Sequence, residues 1–410
     1  MKSNRTFALD LGTTKFCFAA LKKQNASATP LIETISVKAE GMRRGMLADF
    51  QEARTALLKL IEITEKEFNT HISKVTVGIA GSHLNSSIIC KDIHPTHGII
   101  TDSTIDKIYS IAKNEQSPLN KVILQTVPLL YKLDDREWVA SPKNFHAEIV
   151  TGKFFRIGAD KNYVKDVMDL CNQCGLEVVN FYAEPYASAS VTLSEHDKKF
   201  GVAVIDIGGG TTDGIIFYQG IPIKIFTINI GGILMTHDLS IGLGISYEAA
   251  EHIKLKFGLR PPVKGEFIQI KNIHSKQISV AVHDIYRILF ARIYELTLLI
   301  QKEIRAVKIP LKSGLVVTGG GSEVHNITDV MSKILNLHAK KSLPHLALSP
   351  IPENPNSNKD EQTNLAGNFS TACGMVFLET QLKKQESLKG KAWFLGKHFN
   401  TFINWVKELS

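Results

Sequence analysis

VAVIDIGGGTTDGIIF, Val202 to Phe217, reads as an apolar strand ending in Asp206, a turn of three glycines and two threonines, Asp213, and a second apolar strand. Three consecutive glycines weaken a plain hairpin, since they lose the most chain entropy on folding and give nothing to pack. Their use is close approach: backbone N–H groups meet an anion, threonine hydroxyls add donors, and a strand-end aspartate faces the accompanying cation. That chemistry suits a polyphosphate. Far upstream, TFALDLGTTKFCFAAL, Thr6 to Leu21, has the same order: strand, Asp10, then Gly12, Thr13, Thr14 and Lys15, then strand. Alone, DLGTT is as easily an ordinary hairpin turn; paired with the first it points to a duplicated unit of two related lobes. A third glycine turn, Gly319, Gly320 and Gly321, follows the apolar strand of GLVVTGGGSEV, Gly314 to Val324.

Between these landmarks, helical periodicity runs over Ala53 to Phe68, Tyr163 to Cys174, Tyr247 to Phe257 and Val282 to Ile304, so strands alternate with helices as in an α/β protein. Residues 84–162 interrupt the first lobe with one helical stretch, Ser103 to Asn114, among strand-like runs such as Lys121 to Lys132 and Phe145 to Phe155. This reads as an inserted α+β subdomain. Ser349 to Asn364 is a proline- and asparagine-rich loop, and after Phe377 the chain turns basic and polar, as a linker to a terminal helix would.

The 410 residues are 44% hydrophobic, enough for a large core in two or three lobes, and carry a formal charge of +8. No nucleic-acid motif stands beside the short lysine pairs, so nucleic acid is not an expected partner. Five scattered cysteines fit a reducing compartment, and Cys171 and Cys174 read as two packed thiols rather than a redox pair. The fourteen histidines include no HxxxH or HExxH spacing. MKSNRTFALDLG lacks a signal-peptide core and no run is long and apolar enough to span a bilayer, so the chain is expected to stay on the cytoplasmic side.

In order and spacing, DLGTT, DIGGGTTD and TGGGS resemble the phosphate 1, phosphate 2 and adenosine segments of the actin superfamily. NFYAEPYASASVTL, Asn180 to Leu193, and NFSTACGMVFL, Asn368 to Leu378, resemble its two connecting helices. P-loop and Rossmann folds are disfavoured, since neither GxxxxGK[ST] nor GxGxxG is present. The resemblance implies an actin-like two-lobed ATPase fold on a duplicated ribonuclease-H-like core, and ATP with Mg2+ in the cleft. It implies Asp10 and Asp206 near the metal, through water. Gly12, Thr13, Thr14, Lys15 and Gly208, Gly209, Gly210, Thr211, Thr212 would surround the phosphates. Glu184 would stand where hydrolysing relatives position water, with Asp206 as a second catalytic candidate. Glu251 and Lys254, from AEHIK, would touch ribose and adenine; a surface ion pair explains that short run equally well.

GGILMTHDLSIGLGISYEAAEHIKLKFG, Gly231 to Gly258, with EGMRRGMLADF, Glu40 to Phe50, and VGIAGSHLNSS, Val77 to Ser87, resembles the FtsA cell-division family. The insert departs from the family pattern at SPKNFHAEIV, Ser141 to Val150. The implied domains are 1–83 with 163–198 (subdomain 1A), 84–162 (1C), 199–228 with 311–378 (2A), 229–310 (2B), a linker at 379–391 and an amphipathic helix at 392–410. The implied partners are the C-terminal tail of FtsZ, further copies of the chain in filaments, other divisome proteins, and an anionic membrane at the septum. In the terminal helix, Leu395, Phe399, Phe402, Ile403, Val406 and Leu409 share one side, opposite Lys397, Asn400, Thr401, Asn404, Lys407 and Glu408, a pattern for lying in a membrane interface. A PilM-like pilus adaptor and a chaperone-type ATPase are the alternatives.

Overall fold

The computed structural model describes residues 7–22, 31–115, 120–345, 347–350 and 366–389. Its two central sheets repeat one plan. In the first, β1 (Phe7–Leu11) pairs antiparallel with β2 (Lys15–Leu21), which pairs antiparallel with β3 (Leu31–Lys38); on the other side β1 runs parallel to β6 (Lys74–Ile79), and β6 to β11 (Glu177–Ala183). In the second, β12 (Val202–Ile207), β13 (Thr212–Tyr218) and β14 (Ile221–Ile228) form the antiparallel part, with β17 (Leu315–Thr318) and β18 (Ala339–Lys341) parallel beyond β12. The first sheet alone gains an outer parallel strand, β19 (Ala347–Pro350), on β3. The central strands of both are buried but for a partly exposed Asp206, as expected of sheets covered on both faces.

Helices complete the layers: α1 (Phe50–Phe68), α3 (Lys161–Gln173) and α4 (Glu184–Thr192) belong to the first half, and α5 (Glu195–Phe200), which packs on β13, with α6 (Gly232–Leu243), α7 (Tyr247–Phe257), α8 (Val282–Ala306) and α9 (Ile327–Leu335) to the second, where a small β15 (Phe267–Lys271), β16 (Gln277–Ala281) ribbon also lies. α1 shows how the sequence sets an element. Asp49 caps it by accepting from the Gln51 and Glu52 backbone N–H groups, Ala53, Ala56, Leu57, Leu60 and Thr64 form its buried stripe, and Asn69 ends it in left-handed geometry. α4 packs on α10 (Ser370–Lys389) so closely that a Cβ on Gly374 would fall 1.9 Å from the Ala187 carbonyl oxygen.

The insert holds α2 (Asp102–Asn114) and a sheet ordered β7 (Asn85–Ile93), β10 (Val150–Asp160), β8 (Lys121–Leu133), β9 (Trp138–Val139). It has its own apolar cluster around Ile100, Ile108, Tyr131 and Phe154, while Leu129, Phe155 and Ile157 join the large core cluster that takes in residues of both central sheets.

Several boundaries differ from the sequence expectation. The strand expected from Phe145 begins only at Val150, because the Asp134 carboxylate accepts from the Glu148 and Ile149 N–H groups and holds that approach as a loop. Asn180 to Ala183 belongs to β11, and the helix starts at Glu184, where Pro185 fits the first turn. The expected linker from 379 is instead helical to Lys389: Glu379 is buried and accepts from the Asn180 amide, and the Gln, Lys, Glu and Leu that follow are good helix formers. The terminal amphipathic helix at 392–410 lies outside the described residues. No helix among the described residues is long and apolar enough to cross a membrane.

Candidate functional site

The turns of the two central hairpins meet face to face. A Cβ on Gly209 would lie 2.4 Å from Thr14 Cγ2, and one on Gly210 would lie 2.5 Å from Thr13 Oγ1 and 2.8 Å from Arg44 Cα. Only glycine allows that approach. The neighbouring Gly231 and Gly232, which the sequence reading left without a role, seal the back of the second turn: Gly232 and Ile233 donate backbone N–H bonds to the Gly208 and Gly209 carbonyls, both at 2.9 Å, and a Cβ on Gly231 would strike them.

The structure brings most of the expected residues to this cleft, with roles of different kinds. Thr13 Oγ1 accepts from the Gly45 N–H at 2.9 Å. Thr14 is exposed. Thr211 and Thr212 are buried and turned away: Thr211 Oγ1 bonds Asp213 Oδ2 at 2.9 Å and Thr212 Oγ1 bonds the Ile230 carbonyl at 2.7 Å, so their hydroxyls brace the turn. Gly319 and Gly321 serve close packing first, since a Cβ on either would come within 2.2 Å of Asp206 Oδ1 or Ile207 Cγ2; Gly320 is exposed. Lys254 pairs with Glu251 at 2.7 Å, yet it is 5% exposed and also bonds Thr236 Oγ1 and the Gly232 carbonyl, so this is no surface ion pair. It stands behind the Gly208 end of the turn.

EGMRRGMLADF proves to be a two-stranded hairpin, β4 (Met42–Arg43) and β5 (Met46–Leu47), whose spaced residues each have a task. The Gly41 carbonyl accepts from Ala48 and Asp49, Gly45 forms the tip, and Asp49 caps α1. The tip enters the cleft. Tyr163 secures it by donating its hydroxyl to the Gly45 carbonyl at 3.0 Å.

Four carboxylates gather beneath the turns. Burial raises Asp10 to about 6, against the pull of Lys15, and Asp206 to about 7, where Asp213 and Asp10 add repulsion that Ser188 and Thr371 only partly offset. Burial also raises Asp213, and raises Glu184 well above the ordinary carboxylate range, with Asp10, Asp213 and Asp206 contributing. Glu184 opens α4 and leans over Gly78, where a Cβ would fall 3.0 Å from its Oε1; Gly78 is another residue the sequence reading missed. Lys15 is pushed down by burial; it donates to the Asn368 carbonyl and lies 3.8 Å from the centre of the Phe369 ring. Among the described residues no three His, Cys, Asp or Glu side chains converge closely enough to ligate an ion directly. The chemistry of the four buried carboxylates fits a divalent cation held in part through water and through the oxygens of an anion, since such a cation would relieve their mutual repulsion. Glycine backbone donors, Thr14 and Lys15 supply the complementary groups for that anion.

Comparison with known proteins agrees in sequence and fold. A family profile described as Cell division protein FtsA matches residues 203–373. Cell division protein FtsA of Neisseria meningitidis serogroup B is 30% identical over 345 residues, covering 82% of this chain and 83% of that protein. Its counterpart in Bacillus subtilis is 25% identical, covering 84% and 80%. Among solved structures, the PilM–PilN type IV pilus biogenesis complex aligns with TM-score 0.62 at 15% identity over 91% of this chain and 98% of that one. MreB5 of Spiroplasma citri bound to ADP aligns with TM-score 0.55 at 15% identity over 94% and 99%. The fold is thus actin-like, and at these identities the structural likeness to PilM is a likeness of fold alone.

Proposed function

This chain belongs to the FtsA family of cell-division proteins, and from that premise we propose that it binds ATP with Mg2+ between its two facing hairpins and tethers FtsZ filaments to the inner face of the membrane at the septum. The observation that carries the nucleotide reading is the meeting of Gly209 and Gly210 with Thr14 and Thr13 above the buried carboxylates. Asp10 and Asp206 would face the magnesium through water, and Gly12, Thr14, Lys15 and the Gly208 to Gly210 backbone would hold the phosphates. Gly319 to Gly321 with Glu251 and Lys254 would border the nucleoside. The bound magnesium would screen phosphate charge. Glu184 is the candidate to orient water, and burial with three carboxylate neighbours favours its protonated form, which cannot take a proton, until a cation is present, which suits slow or absent turnover. Titrating Mg-ATP into the wild type and into Asp206→Asn tests the reading: saturable binding lost in the variant is expected, and equal binding by both would overturn it.

The division into 1A, 1C, 2A and 2B is carried forward as part of this proposal, with the FtsZ tail on 229–310. A depression of about 380 Å³ between α6 and α8, lined by Asp238, Arg287, Ile288, Ala291, Arg292 and Glu295, gives a peptide an apolar floor with charge around it. Filament formation, recruitment of other divisome proteins and membrane attachment through 392–410 belong to the same reading; between Glu379 and Ser410 six lysines outnumber three glutamates, which favours anionic lipid. Vesicle co-sedimentation of the intact chain against a form ending at Gly390 tests the anchor. Equal sedimentation would remove it.

A further inference from the structure

The tip of the β4–β5 hairpin touches both phosphate-type turns at once. Arg44 and Gly45 both have positive φ, 51° and 71°, the geometry of a tight hairpin turn that favours Asn-Gly. An arginine there is strained, and such residues persist where the surroundings hold them and a function uses them. The surroundings are specific: Gly45 N–H donates to Thr13 Oγ1, a Cβ on Gly45 would lie 3.4 Å from Thr211 Cγ2, and a Cβ on Gly210 would lie 3.0 Å from the Arg44 nitrogen. The base of the hairpin is fixed by the two bonds to the Gly41 carbonyl. Arg44 itself is exposed and has no ion-pair partner among the described residues, although Asp10, Asp206, Asp213 and Glu184 make the nearby cleft floor acidic.

Resting on the nucleotide reading above, we propose that Arg44 is the group that distinguishes a nucleoside triphosphate from a diphosphate, by contacting the terminal phosphate. Direction along the second turn supports this: Gly208 lies on the Gly232 and Lys254 side, and Gly210 lies on the Arg44 side. A nucleotide with its sugar at the first end places its last phosphate at the second. A guanidinium presents a planar fork of donors that matches two phosphate oxygens and keeps its charge at any physiological pH. Because the same hairpin ends in the cap of α1, a terminal phosphate held by Arg44 would be felt at the start of that helix.

The test is calorimetric titration of the full-length chain with ATP and with ADP, each with Mg2+, for wild type, Arg44→Ala, Arg44→Lys and Arg44→Gly. Glycine relieves the positive φ, so Arg44→Gly should fold at least as well as the wild type, and its melting temperature checks this. The expected result is a loss of roughly tenfold or more in ATP affinity with ADP affinity within about twofold, and partial recovery in Arg44→Lys. An unchanged ratio of ATP to ADP affinity in Arg44→Gly, or equal loss of both nucleotides, would overturn the role of Arg44 while leaving the nucleotide site standing. A wild type that binds neither nucleotide would sink both readings.

Discussion

In the first lobe β1 and β2 set Asp10 opposite Cys17 and turn through Gly12, Thr13 and Thr14 into Lys15, whereas in the second β12 and β13 set Asp206 opposite Asp213 and turn through three glycines. The strand plans are the same, and the charges are not. The first hairpin carries a cation that draws Asp10 back to about 6; the second carries a second carboxylate that helps push Asp206 to about 7. One strand plan thus carries two turns of unequal charge, the first with Lys15 beside its aspartate and the second with Asp213 beside its own.

The largest expected effect breaks the comparison at its turns. The side chain added in Gly209→Val enters space filled by Thr14, with three Thr14 atoms within 3.2 Å, so the two lobes must separate; a loss of nucleotide affinity of roughly a hundredfold or more, about 2.8 kcal/mol, is expected by titration. Gly12→Ala meets only its own hairpin, the Lys15 carbonyl at 2.9 Å and Asp10 Oδ1 at 3.7 Å, and should lose about tenfold or less. If the two losses are equal, close approach across the cleft is not what the second set of glycines provides.

A smaller effect separates the carboxylates by pH. In the folded chain Asp10 and Asp206 titrate near 6 and 7 against an ordinary value of 3.8, so between these values the folded state holds protons that the unfolded state has released. Stability without nucleotide or magnesium therefore falls as pH rises from about 4 through 7, and Asp213 and Glu184, also raised by burial, add to the fall. Asp206→Asn removes the larger share of that slope and should stabilise the metal-free chain at pH 8 by roughly 1 to 3 kcal/mol, while destroying Mg-ATP binding. Asp10→Asn should do the same more weakly, because Lys15 already favours the ionised form. Thermal unfolding from pH 5 to 8 in a chelator reads both, and a wild-type stability that rises across this range would refute the electrostatic contrast.

How much of this was legible in the sequence follows from range. Asp10 to Thr14, Asp206 to Asp213 and Thr318 to Ser322 are local strings whose residue types state their chemistry, and the two hairpins appear where those strings place them. The Gly41, Gly45 and Asp49 spacing was visible as a family signature, but not as a hairpin whose tip lies between Thr13 and Gly210, since that contact joins distant parts of the chain. Gly78 and Gly231 were silent for the same reason: each is small on account of a partner, Glu184 or Gly209, far away in sequence. The strand β19 pairs with β3 across the insert and most of the second lobe, and no short-range pattern announces it. Beyond Phe377 polarity was read as a linker, although Glu379 is buried on Asn180 and the helix continues.

The smallest effects concern the insert, which one polar side chain bonds to each lobe beside its apolar packing. On the first lobe, Gln125 spans the end of β11: its amide donates to the Phe181 carbonyl at 2.6 Å and its oxygen accepts from the Ala183 N–H at 3.0 Å, one residue before Glu184. On the second, Ser86 Oγ accepts from the Ile225 N–H at 3.1 Å, on the edge strand β14. Gln125→Ala leaves two backbone groups unpaired and should cost about 1–3 kcal/mol in denaturant unfolding, while Ser86→Ala, losing one bond at a site beside open space, should cost about 0.5–1.5 kcal/mol. The inequality follows from the bonds at stake, two at Gln125 against one at Ser86, since the apolar cluster that takes in Leu129, Phe155 and Ile157 reaches both central sheets, Val204 and Ile225 included. It follows that Gln125→Ala should also disturb Glu184 and lower any slow ATP turnover, whereas Ser86→Ala should leave turnover intact and ease the parting of the lobes, seen as faster nucleotide release. A larger stability loss in Ser86→Ala than in Gln125→Ala would show that the insert is mechanically part of the second lobe, and the division of the chain at 84–162 would then have to be redrawn.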